Sequence, residues 1–302
     1  MRGLRRGGRA VREVRAVRRG VRPEALRALD GILPPGRLVE SDGSGDAGPV
    51  LWLGDGPTTL REWTEAHAAR GRSGLWPLLL DALDPAHADF RPWGSGELSH
   101  RRKSSPSDHD PAAVLADWWG DGAEPEDPAD VDPLDGAGPL PITAPFGRAW
   151  PGIAARPHRE AAERARAEAE AEAEVFARAS AREYLAFCPW VRLGLVAADS
   201  GAEALTAVGW EGPCNHDNDT AKHSAVVRDW EDRFGARVVA VGFDTLRLSV
   251  ARPPVDEREA LLVAAEHFAF CPDNIWQGGG PDGLSGYARE LVGAEEWHFW
   301  WD

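Results

Sequence analysis

The run at residues 264–278, AAEHFAFCPDNIWQG, constrains this chain more than any other. It joins a helical apolar face to a turn and then to a glycine break, so it fixes one corner of any fold built on it. Leu261, Leu262, Ala265, Phe268 and Ala269 recur at the spacing of one helix face, which predicts a helix over 256–270. Asp256 or the Pro253-Pro254 pair marks its start, because proline is tolerated only before or within the first turn. Pro272 ends it by disfavouring helical backbone at Cys271. Asp273 and Asn274 form turns, and Gly278, Gly279, Gly280 and Pro281 stop regular structure. The spacing therefore gathers Cys271, Asp273, Asn274, Trp276 and Gln277 at one helix corner, as polar groups beside a tryptophan that can line a pocket. The same residues also read as a plain turn packed on Phe268, Phe270 and Trp276. A shorter echo, AREYLAFCP, stands at residues 181–189.

The rest of the C-terminal part can be arranged around that corner. A strand is expected at 191–197, while 202–210 is ambiguous. Asn218, Asp219 and Thr220 make an N-cap, followed by an amphipathic helix to Phe234 that Gly235 closes. Strands follow at 237–241 and 245–250, the second with Leu246, Leu248 and Val250 inward and Arg247 and Ser249 outward. After the central helix come a helix near 284–291 and a last strand over 297–301. That order predicts an α+β fold whose C-terminal domain, residues 190–302, is a split βαβ, ferredoxin-like sandwich.

Upstream, residues 33–150 read as a small α/β domain. It has a strand at 49–53, a capped helix from Pro57 to Arg70 with Leu60, Trp63, Ala66 and His67 on one face, and a buried strand at 75–80. Pro77 places that second strand at an edge or bulge, and the lone His67 reads as packing. Residues 94–111 and 121–141 read as disordered loops around a short helix that ends in Trp118-Trp119, core anchors or an exposed contact patch. Residues 151–189 form a long connecting segment, Ala/Glu/Arg-rich and helical from 157. Its first half reads as an exposed spacer, and Val175, Phe176, Ala179, Tyr184, Leu185 and Phe187 are expected to bury.

Charge is unevenly spread. Residues 1–37 carry eleven Arg against Glu13, Glu24 and Asp30, a net of +8, so the remainder of a chain of net charge −15 carries −23. An acidic body argues against nucleic acid as a partner, because phosphate contacts supply most of such affinity. Only the Arg-rich residues 1–22 could bind it; the same residues also read as part of a basic disordered tail, 1–32, or as an upstream start. Of 34 basic residues only Lys103 and Lys222 are lysines, and with abundant Ala, Gly and Pro this suggests a GC-rich bacterial genome. Apolar runs stay short of the roughly 18 residues of a membrane span, and no secretory signal is evident. Cys188, Cys214 and Cys271 are too scattered for a disulfide framework. A cytoplasmic protein with no membrane partner is expected.

Several runs carry a family resemblance. They are WEGPC at 210–214 with Asn218 and Asp219, DWEDRFGARVVAVGFDT at 229–245, residues 266–278, and FWWD at 299–302. Over about 190–302 the chain resembles the bacterial family known as domain of unknown function 4253. PPGRLVE, SGLWPLLLDALD and APFGRAWPG resemble the N-terminal part of longer actinobacterial members. The Arg-rich tail and the Ala/Glu helix look like additions. The resemblance implies no activity.

Candidate chemistry is sparse. Cys214 or Cys271 with His216, His223 or His267 would make a thiol nucleophile only with a depressed pKa and a base in reach. A helix C-terminus disfavours a thiolate at Cys271, so Cys214 is better placed. His216, Asp219 and His223 are the alternative metal ligands, the last two one helical turn apart. Asn215, Asp217 and Asp219 start like a calcium loop, but Thr220 and Val226 replace its glycine and glutamate. The glycine run lacks the lysine of a phosphate cradle. No cofactor is expected. Trp210, Trp230, Trp276, Trp297, Trp300 and Trp301 supply aromatic surface that suits a protein partner, or a small molecule. The expected function is a non-catalytic binding module with a pocket near 210–219 and 271–277, formed by Trp210, Cys214, Asn215, Asn218, Asp219, Cys271, Asp273, Asn274, Trp276 and Gln277. The alternative is a small hydrolase or transferase using Cys214 or the His216/Asp219/His223 cluster. Alanine at the polar positions of the pocket is expected to weaken binding and leave folding intact.

Overall fold

The apolar runs of the sequence become strands of a single sheet. A computed structural model describes residues 20–42, 48–87, 89–101, 103–123, 142–155, 162–278 and 282–302. The chain enters through helix α1 (Pro23–Arg27), strand β1 (Gly36–Val39) and strand β2 (Leu51–Pro57). Helices α2 (Leu60–Ala68) and α3 (Arg70–Ser73) lead to β3 (Leu75–Leu80), and α4 (Pro111–Ala123) and α5 (Ala162–Phe187) lead to β4 (Arg192–Ala197). Helices α6 (Gly201–Val208) and α7 (Thr220–Phe234) precede the pair β5 (Ala236–Val241) and β6 (Thr245–Val250). Helices α8 (Glu257–Phe270), α9 (Asp273–Trp276) and α10 (Gly283–Leu291) then lead to β7 (Glu296–Trp300).

The α+β class forms, with a strand order of its own. Among the described residues the sheet runs β1-β2-β4-β3-β5-β6-β7, antiparallel except for the β3/β5 pair. A ferredoxin-like order would set β4 between β6 and β7. Instead β6 and β7 pair directly, and both edges of β4 are taken by β2 and β3. A split βαβ unit does exist, but it is β2-α2-β3 with β4 inserted between the two parallel strands. Gly194 permits this insertion: a Cβ there would stand 2.3 Å from Leu80 Cδ1 and 3.2 Å from Leu51 Cδ1. Strands from residues 33–150 and from 190–302 thus share one sheet.

Pro77 lies in a central strand, not at an edge. The β3/β5 pairing is confined to Leu79 and Leu80, so the missing proline N–H removes no ladder bond on that side. Alternation along β3 sends Trp76, Leu78 and Leu80 into one core and Leu75 and Leu79 into the other. The first core lies under α6, α7, α8 and α10, with α4 packed on α7 and α8. The second lies under α1, α2 and α5. The result is a three-layer helix–sheet–helix arrangement.

Two segments expected to be unstructured are packed. Residues 1–19 lie outside the described residues, but Val21 and Leu29 are buried and the Val21 N–H donates to Pro49 O. Within 94–111, Leu98 is buried and the Ser99 N–H donates to Gly209 O. Most of the loop expected over 121–141 lies outside the described residues.

The α5 face is also different from the expected one. Ala173, Ala177, Ser180 and Ala181 are buried, whereas Val175 is 68 % and Phe187 80 % exposed. Small side chains let α5 approach β5 and β6 closely, and its glutamates find partners on the body. Glu174 bonds Arg70 at 2.9 Å and His67 at 2.9 Å, Glu170 bonds Arg237 at 2.5 Å, and Glu172 lies 3.6 Å from Arg252. The expected spacer is therefore a docked helix, and it buries Ser249 on the β6 face expected to be solvated. No described helix is long and apolar enough to cross a membrane.

Candidate functional site

The helix corner predicted from 264–278 forms, and its polar groups act on β7. The Asp256 side chain caps α8 by accepting from Glu259 N, and the helix stops at Cys271 before Pro272. The α9 turn then brings Asn274 to the free edge of β7. Its Nδ2 donates to His298 O at 2.6 Å and its Oδ1 accepts from Trp300 N at 3.1 Å. One side-chain amide thus supplies the donor and acceptor that a neighbouring strand would supply, and blunts an open sheet edge. The buried Cys271 thiol donates to Trp300 O at 2.9 Å. Asp273 Oδ2 accepts from Asp302 N at 3.1 Å, and Gln277 Nε2 donates to Asp302 Oδ2 at 3.3 Å. Trp276, 48 % exposed, leans edge-on against Phe268.

The 210–219 segment meets this corner through the end of the chain. Asn215 Nδ2 donates to Asp302 O at 2.7 Å. Trp210 is buried, donates to Gly242 O at 2.9 Å and packs on Trp301 with centroids 5.6 Å apart. Thus Asn215, Asp273, Asn274 and Gln277 come together, with residues 298–302 held between them. Alanine there is expected to loosen β7, contrary to the expectation that folding is left intact. Asn274→Ala should cost about 1–2 kcal/mol, the net worth of two hydrogen bonds at a partly solvated strand edge. Urea unfolding of wild type and variant measures it; an unchanged midpoint would remove the strand-mimic role.

Asp219 and the α7 N-terminus form a second knot. Asp219 Oδ1 accepts from Ala221 N at 3.1 Å and from Ser104 N at 3.0 Å, and Oδ2 accepts from Ser104 Oγ at 2.5 Å. Lys103 Nζ donates to Asn218 O at 2.8 Å and Thr220 Oγ1 at 2.7 Å. Burial pulls this ammonium below its usual pKa. His216 Nε2 donates to Ala269 O at 3.0 Å, while His223 is buried among Trp118, Phe270 and Trp301. His216, Asp219 and His223 therefore do not converge, and among the described residues no three His, Cys, Asp or Glu side chains could hold a metal ion. Cys214 is exposed, and Asn215 Oδ1 lies 4.0 Å from its sulfur. Burial pushes the Cys271 thiol up to about 12, which keeps it protonated.

Between α4 and the start of α7 lies a cleft of about 370 Å³ lined by Val114, Asp117, Trp118, Asp217 and Lys222. Lys222 Nζ donates to Asp217 Oδ2 at 2.6 Å, as does Trp118 Nε1 at 3.2 Å, while the Asp219 N–H donates to Oδ1 at 2.8 Å. Burial alone would push the Asp217 carboxyl up, but these three hydrogen bonds outweigh it and hold the group below the usual carboxylate range. The Trp118 ring is backed by His216 and His223, with centroids 5.0 and 4.6 Å away.

The motif residues of both knots fall within one recognisable segment. Residues 192–302 match the family described as Domain of unknown function (DUF4253). No curated protein and no solved structure matches the chain. The matched segment contains Trp210, Asn274 and Asp302, so the β7 clamp lies wholly within it. Of the cleft, Asp217 and Lys222 lie inside the segment, while Val114, Asp117 and Trp118 come from α4 outside it. The sequence alone did not single out the cleft residues Asp117 and Lys222, nor Lys103 and Ser104, which bond residues 218–220. One signal was available: both lysines of an arginine-rich chain contact residues 217–220.

Proposed function

We propose that this chain is a non-catalytic binding module that recognises its ligand in the cleft between α4 and the α7 N-terminus. The observation that carries this reading is the rigid, mixed-charge lining of that cleft: Asp217 is fixed by three donors, and Trp118 is fixed by Asp217 in front and two imidazoles behind. Preorganised walls lower the ordering cost of binding. Of the thiol and imidazole candidates, Cys271 and His223 are poorly suited to nucleophilic chemistry, while Cys214 is exposed. The Cys271 thiol is held protonated and is committed to Trp300, and His223 is a buried neutral imidazole. Of the two segments expected to form the pocket, 210–219 contributes only Asp217 to the cleft, none of the ten residues expected in the pocket lines it, and 271–277 serves the β7 clamp.

The test compares wild type with Asp117→Arg, both as full chains, by affinity-selection mass spectrometry against a bacterial metabolite extract. Asp117 is exposed and has no hydrogen bond or ion pair among the described residues, so the variant should melt as wild type does. A compound retained by wild type and absent from the variant is the expected result. Equal retention by both proteins would place recognition elsewhere.

A further inference from the structure

We propose that the cleft binds a zwitterionic amino acid, its carboxylate on Lys222, its ammonium on Asp117 and its side chain on Trp118 and Val114. This rests on the cleft being the recognition site. The lining has one cation, two carboxylates and two apolar walls. One carboxylate, Asp217, is already saturated by Lys222, Trp118 and the Asp219 N–H. What remains open is an ammonium with unused N–H donors and the unpaired Asp117 carboxylate. Side-chain exposures of 35 % for Lys222 and 17 % for Asp217 leave the ammonium the more accessible member of their pair. A ligand with both charges matches this pair, and a ligand with one charge would leave the other group unpaired.

The lysine itself adds to the argument. Of 34 basic residues only Lys103 and Lys222 are not arginine, and both contact residues 217–220. Guanidinium and ammonium differ in what they leave free. An arginine at 222 would pair with Asp217 through its planar fork, and its remaining donors would point only within the plane that this pair fixes. An ammonium makes the same pair with one N–H and keeps two for a second anion. Lys103 makes the complementary use of the same geometry, bridging two oxygens that brace the wall of the cleft.

The experiment screens the full chain against each of the twenty L-amino acids by thermal shift, with titration calorimetry on those that act. One amino acid or a chemically related set should raise the melting temperature by several degrees when well above its Kd. Amidating its carboxylate or acetylating its amine should weaken binding by about ten-fold or more, the loss of one charge-assisted hydrogen bond. Asp117→Asn and Lys222→Arg should each do the same at an unchanged melting temperature of the free protein. Binding that survives both substitutions, or that tolerates the blocked analogues, overturns the assignment. If no amino acid binds while Asp117→Arg still abolishes capture of some other compound, the zwitterion assignment fails and the recognition cleft stands. If that capture is also unaffected, both fail.

Discussion

Arg233→Met is expected to destabilise the protein by about 3–5 kcal/mol, the cost of leaving a buried carboxylate without its partner. Glu266 is fully buried on α8 and joins that helix to α7 and to residues 151–155. Its two oxygens accept from Arg233 at 3.0 and 2.5 Å, from Trp230 Nε1 at 2.7 Å and from Ala154 N at 2.7 Å. Arg233 also donates to Asp229 at 2.6 Å and to Ala154 O at 3.1 Å, so it ties residues 151–155 to α7 and α8. Methionine preserves much of the stem volume and removes every donor. The carboxylate then keeps two neutral donors, Trp230 Nε1 and the Ala154 N–H, in a fully buried site. The decisive comparison is a sign change. Glu266→Gln should destabilise the wild type, because it weakens a bidentate ion pair. In the Arg233→Met background it should stabilise, because it removes an unpaired buried charge. Urea unfolding of the four proteins gives the cycle. Additive effects would show that the two side chains act independently.

Local structure was legible in the sequence wherever one segment supplied its own signal. The capped start of α7 at Asp219, its Gly235 stop in left-handed backbone, and the end of α8 at Cys271-Pro272 all stand where periodicity and cap residues put them. The strand order was not legible. Nothing in RLGLVA says that its two edges are taken by LWLGDGP and LWPLLL from more than 100 residues upstream. Long-range pairing of that kind depends on which edges meet, and an apolar strand fits any of several neighbours. The α5 face was misread for a related reason. Its alanines bury instead of its bulky residues, because Arg70, Arg237 and Arg252 on the body pair with the glutamates beside those alanines. In the candidate site, the residue types at 271–277 were found and their target was not. Asn274 recognises backbone of its own chain, and no pattern in the sequence shows a side-chain amide paired with a strand edge.

Stability should fall with acidification above the range where carboxylates titrate, and two buried imidazoles set the slope. Burial pulls His267 down to about 3, helped by the Arg233 charge, and burial followed by the His216 charge pulls His223 well below its ordinary value. In the unfolded chain both titrate near 6.5. The unfolded state therefore binds more protons below that value. The stability that these groups contribute is complete above about pH 6.5 and is lost as pH falls towards the folded values. Each such proton is worth about 1.4 kcal/mol per pH unit. Glu231 works the other way. Packing around its half-buried carboxyl, which accepts from Ala202 N at 3.1 Å, pushes it up to about 7. Between pH 7 and about 4.5 the folded state keeps a proton that the unfolded state releases. Substitutions separate these contributions. His267→Gln should flatten the dependence of unfolding free energy on pH between 6 and 5 by about 1.4 kcal/mol per unit, and Glu231→Gln should steepen it by the same amount. The slope is the readout, so a variant of lower overall stability still answers the question. If His267→Gln leaves the slope unchanged, the imidazole takes up its proton inside the fold, and the aromatic cluster of Trp230, Trp297 and Phe299 around it must open to water to allow that.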